Sequence, residues 1–87
     1  MRGLSPEQLL LIADEVCSAH GETVRNFGAL AAAAAVSTAG FHGVRVHATA
    51  GAMAAQVADT IIRLKPLSGR NEQLAAAAQR ILLHLNG

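Results

Sequence analysis

Aromatic residues are almost missing from this chain: two Phe, no Trp and no Tyr among 87 residues. The core must therefore be assembled from Leu, Ile, Val and Ala, and beyond Phe27 and Phe41 there is no platform on which nucleic-acid bases could stack. Cysteine is nearly absent too. A lone Cys17 excludes an internal disulfide and a cysteine-rich zinc module. Set among apolar residues, it reads as a small buried hydrophobe rather than a nucleophile, in a protein of the reducing cytoplasm. Charge is sparse, at 15% of residues, and no apolar leader opens the chain: Arg2 is followed by Ser5-Pro6-Glu7, a helix start. The 19 residues from Asn26 to Val44 carry no Asp, Glu, Lys or Arg. That is close to a membrane-spanning length. The stretch is broken by Gly28, Ser37, Thr38, Gly40, His42 and Gly43, so a buried helix and a loop are expected instead of a membrane segment.

What the chain has in abundance is alanine, with 19 copies in a composition that is 52% hydrophobic. Alanine favours helices and disfavours strands, which rules out an all-β domain. Eighty-seven residues make one domain. The net charge of +1 is unevenly spread: residues 1–24 hold one basic and four acidic groups (−3), residues 25–87 six and two (+4). Such a split suggests a surface with two electrical ends and gives no support for nucleic-acid binding.

Four helices can be traced. Ser5 with Gln8 three residues on forms a capping box, and Pro6 suits the first turn. Leu9, Ile12, Ala13 and Val16 then mark one face, and Gly21 is the stop. The second helix starts near Asn26 and carries the run Ala31 to Ala35, whose lack of bulk allows a neighbour to approach closely. The third spans about Ala50 to Leu64 with Met53, Val57, Ile61 and Leu64 on its apolar side, an Asp59–Arg63 pair one turn apart, and Lys65-Pro66 as terminator. The fourth follows the turn Ser68-Gly69-Arg70-Asn71, with Leu74, Ala77, Ala78, Ile81, Leu82 and Leu85 inward. Between the second and third helices, Phe41, His42, Gly43, Val44, Arg45, Val46 and His47 switch to a period of two, the mark of a short strand or hairpin flap. The expected fold is an all-α bundle of about four helices with a short β flap.

In this order the signals resemble the Doc branch of the Fic family, toxins of toxin–antitoxin pairs. Leu4-Ser5-Pro6-Glu7-Gln8-Leu9-Leu10 looks like the family's opening helix. Thr23-Val24-Arg25-Asn26-Phe27-Gly28-Ala29-Leu30 resembles its Val-Arg-Asp-x-Gly-x-Leu segment, and Phe41-His42-Gly43-Val44 falls where the family has an aromatic–Gly-Gly flap. Ile81 to Gly87 looks like the end of the helix after the catalytic loop. The likeness fails in the loop itself, for which the family pattern is His-x-Phe-x-Asp-x-Asn-Lys-Arg. Lys65 stands at the histidine, Leu67 at the phenylalanine and Gly69 at the aspartate; Asn71 matches, and Glu72 and Gln73 replace the two cations.

The chemistry of those replacements can be read without the family. Transfer from a nucleotide needs a base near neutral pKa, a metal ligand and a positive helix N-terminus for the phosphates. Lysine ordinarily titrates near 10.4 and is a poor base at neutral pH. Glycine ligates nothing, and Glu72 places negative charge at the end where phosphate would sit. The resemblance therefore implies a degenerate site without cofactor or metal, in which Lys65, Arg70 and Asn71 retain at most an anion contact. His42 and His47 lack further metal ligands nearby in sequence.

Family members usually continue with further helices, so the resemblance also implies a truncated bundle with apolar surface left for a protein partner or a homo-oligomer. The flap, which docks target protein in the resembled family, is a second candidate contact through its strand edge. A catalytically inactive interaction subunit, regulatory, accessory or structural, is the expectation. The alternative is a toxin–antitoxin nucleotidyl- or phosphotransferase with an altered active site.

Overall fold

The structure, a computed structural model, describes residues 1–38, 40–41, 44–45 and 49–87. Four helices carry the fold: α1 (Pro6–His20), α2 (Phe27–Ser37), α3 (Ala50–Leu64) and α4 (Asn71–Asn86). Between α2 and α3, β1 (Gly40–Phe41) and β2 (Val44–Arg45) pair antiparallel, with Gly40 opposite Arg45 and Phe41 opposite Val44. The remaining flap positions His42, Gly43, Val46 and His47 lie outside the described residues.

The helix boundaries follow local chemistry. Ser5 Oγ accepts from the Gln8 N–H at 3.1 Å while Gln8 Oε1 accepts from the Ser5 N–H at 2.8 Å, so two donors at the start of α1 are satisfied reciprocally. Gly21 ends α1 in the left-handed region at φ 70°, where a side chain would be strained. Asn26 caps α2 through Ala29 N–H, and Thr49 caps α3 through Ala52 N–H. α4 is the exception: its N-cap is Arg70, which makes no capping bond with its side chain.

α3 packs most extensively on α4, α2 lies against α3, and α1 touches both α2 and α4. Their shared core is aliphatic. Leu9, Leu30, Met53, Val57, Ile61, Leu74 and Leu82 are wholly buried, interleaved with Ala13, Ala33, Ala54 and Ala78. Phe27 does not contribute to it, being half exposed. Two positions expected inward are not. Leu64, the last residue of α3, is 45% exposed because the chain turns at Lys65 and the buried Pro66 and Leu67 close the core there. Ile81 sits at the flank of the α4 stripe, whose centre is Leu74, Ala75, Ala78 and Leu82.

The segment before α1 seals the opposite end of the bundle. Leu4 is buried, and its N–H donates to Ser37 Oγ at 2.8 Å while that hydroxyl donates to Ala34 O at 2.6 Å. Asn86, at the end of α4, accepts from the Arg2 N–H at 2.6 Å and donates to Arg2 O at 2.8 Å. Gly3 passes so close to the end of α2 that a Cβ there would lie 2.5 Å from Ser37 O. The radius of gyration is 12.2 Å, and a closed domain of this length should have about 12 Å. The chain is thus as compact as a domain of this length should be. Among the described residues no helix is long and apolar enough to cross a membrane.

Candidate functional site

Two places compete for attention: the α3–α4 loop, where the sequence pattern puts its chemical residues, and the outer side of α2, where it puts none. The loop begins and ends on strained backbone. Lys65 (φ 50°) and Arg70 (φ 63°) are the two described non-glycine residues in the left-handed region, a conformation that costs about 1–2 kcal/mol for a residue with a Cβ. Between them the chain is tied to the α1–α2 connection. The N–H groups of Arg25 and Asn26 both donate to Pro66 O, at 2.8 and 3.0 Å. The Ser68 N–H donates to Thr23 O at 2.8 Å, and Val24 faces Leu67 in an isolated antiparallel bridge. The Ser68 hydroxyl completes the tie, accepting from the Thr23 N–H at 2.9 Å and donating to Glu22 Oε1 at 2.7 Å.

The residues expected to hold an anion are placed by this clamp. Asn71 spends its amide on the backbone of its own loop: Oδ1 accepts from the Leu67 N–H at 3.0 Å and Nδ2 donates to Leu67 O at 3.2 Å. An asparagine used in both directions like a strand partner holds the turn and has little left for a ligand. Lys65 is exposed, standing in solvent rather than in the apolar pocket a lysine base requires. Arg70 is exposed as well. The Glu22 carboxylate lies against Gly69, so close that a Cβ there would be 2.6 Å from Glu22 Oε2. A carboxylate therefore stands beside the start of α4, and Glu72 adds a second in its first turn. Both oppose a phosphate. Sequence reasoning missed Glu22, Thr23 and Ser68 as partners, and no local signal marks a pairing 45 residues apart.

Cys17 is buried on the core side of α1. Burial first, then the carboxylates of Asp14 and Glu22, raise its thiol above the ordinary 9.0. It is held as a neutral thiol, the opposite of an activated nucleophile. Among the described residues no three His, Cys, Asp or Glu side chains converge to hold a metal, and His42 and His47 lie outside those residues.

α2 offers the contrast. Its eleven residues include no charged group and are apolar on all sides. Such a helix is ordinarily buried all round. Here Ala29, Leu30, Ala33 and Ala34 face the core, while Phe27, Gly28, Ala32 and Ala35 are exposed. Beside that outer side runs a groove of about 380 Å³, walled by Leu4 and Pro6 on one flank and Ala31, Ala34, Ala35 and Thr38 on the other. Along Gly28, Ala31, Ala32 and Ala35 the helix carries nothing taller than a methyl group, which lets another backbone come close. Comparison with protein-family models, curated proteins and solved structures finds no match to this chain.

Proposed function

We propose that this chain is a catalytically inactive, Doc/Fic-like protein-interaction subunit, cytoplasmic, which acts by binding a partner protein or another copy of itself. The observation that carries the reading is the outer side of α2: an uncharged helix, apolar all round, exposed along Phe27, Gly28, Ala32 and Ala35 beside an open apolar groove. Isolated surface hydrophobes need no explanation, but a whole helical face without one charge on an 87-residue domain does. The loop supports the same conclusion from the other direction. Asn71 is consumed by Leu67, Glu22 lies against Gly69, and Lys65 is neither buried nor placed against a base partner.

The test is native mass spectrometry of the tagged chain, purified gently from its own host. A defined complex supports the reading and names the partner. Incubation with labelled ATP and lysate addresses catalysis separately: transferred label would overturn the inactive assignment and favour an altered transferase.

A further inference from the structure

We propose that copies of this chain associate head to tail, the acidic outer side of α1 on one copy docking against a basic corner at the start of α2 and the end of α3 on the next. This rests on the reading of the chain as an interaction subunit and names one of its partners as the chain itself.

The acidic half of the contact is a helix face without a single Lys or Arg. Leu11 projects from the middle of α1 at 66% exposure, the most exposed large hydrophobe described. Helical spacing surrounds it with Glu7 at i−4, Asp14 at i+3 and Glu15 at i+4, all exposed. Among the described residues the one ion pair is Arg63–Asp59, so none of their side chains neutralises these three carboxylates. An apolar knob ringed by unpaired charge of one sign calls for an apolar seat ringed by the other.

The chain carries such a seat. The bonds from Arg25 and Asn26 to Pro66 bring the start of α2 against the end of α3. At that corner Phe27 is 50% exposed and Leu64 45%. Arg25 and Lys65, both exposed and neither in an ion pair, flank them. Of the carboxylates on neighbouring elements, Asp59 is paired with Arg63, while Glu22, bonded to Ser68, and Glu72, on the first turn of α4, keep their charge on the loop side of the corner. A head-to-tail contact between two such different surfaces is heterologous and builds open chains or a ring. Three of the four acidic groups before residue 25 lie on the α1 face, and two of the six basic groups from it onward, Arg25 and Lys65, lie at the corner.

Sedimentation velocity on the intact chain tests this, run at about 0.1 M and about 1 M salt, where the Debye length is about 10 Å and about 3 Å. The expected result is concentration-dependent association that weakens at least about tenfold at the higher salt. Two reversed variants, Asp14→Lys with Glu15→Lys and Arg25→Glu with Lys65→Glu, should each be monomeric with unchanged helical circular dichroism. Mixed together they should associate again, because each supplies the sign the other lacks. Association indifferent to salt and to both reversals would overturn the head-to-tail contact and point to the apolar side of α2, leaving the interaction reading in place. A wild-type chain that stays monomeric at every concentration also overturns it; the host-purified complex then decides the broader reading independently.

Discussion

The loop between α3 and α4 and the outer side of α2 are treated in opposite ways by the same fold. The loop is rich in polar groups, and almost every one is already bonded: Asn71 to Leu67, Ser68 to Thr23 and Glu22, Pro66 O to two N–H groups. The outer side of α2 has no polar side chain before Thr38, and none of the described residues covers it. Polar residues whose hydrogen bonds close within the chain serve the fold, whereas apolar residues left in solvent cost free energy until something covers them. The difference separates a loop whose polar groups are spent on the fold from an exposed apolar side, the one we propose as a binding surface.

The comparison breaks most sharply within α2 itself. Leu30→Ala on the core side should cost about 2–5 kcal/mol in urea denaturation, since the side chain is wholly buried. Ala35→Arg on the outer side should change stability by no more than about 0.5 kcal/mol while abolishing partner binding. Next in size is Asn71→Ala, which leaves a part-buried N–H and C=O of Leu67 without their side-chain partner and should cost about 1–3 kcal/mol. Asn71→Asp keeps the acceptor and should cost less. A smaller effect of opposite sign is expected at the loop ends. Lys65→Gly relieves left-handed strain of about 1–2 kcal/mol, against a glycine entropy cost of about 0.5–1 kcal/mol. The net gain should be about 0.5–1 kcal/mol, a result a catalytic lysine has no reason to give.

The subtlest effect lies in pH. Because the folded state raises the Cys17 thiol above 9.0, it holds that proton more tightly than the unfolded chain does. The stability this confers is present below pH 9.0 and is lost as pH climbs through the raised value. Stability curves measured from pH 7 to 10.5 should therefore fall at the alkaline end, and the fall should be shallower in Cys17→Ala.

The helices were legible because their signals are local. Ser5 with Gln8, Asn26, Gly21 and Lys65-Pro66 act within one turn of where they stand, and the apolar stripes of α1 and α3 repeat at the helical period. Leu64 departed from expectation because periodicity does not say where the core ends along a face, and Ile81 because it does not fix how wide the buried stripe is. The clamp on the α3–α4 loop was invisible for a different reason: Thr23 and Ser68 meet across 45 residues, and Val24 pairs with Leu67 outside any regular strand. Asn71 could be aligned with a ligand-binding asparagine from sequence alone. Only its distances to Leu67 reveal that its amide is already engaged.

The most direct test of the central claim, that the exposed side of α2 is a binding surface, is native mass spectrometry of the tagged chain and its Ala35→Arg variant, purified side by side from the host. The account predicts a complex with a partner polypeptide for the wild type and its loss in the variant, at unchanged thermal stability, whereas head-to-tail association through α1 does not involve Ala35 and persists. A wild type without a partner polypeptide, or a partner complex that the arginine leaves intact, would contradict it.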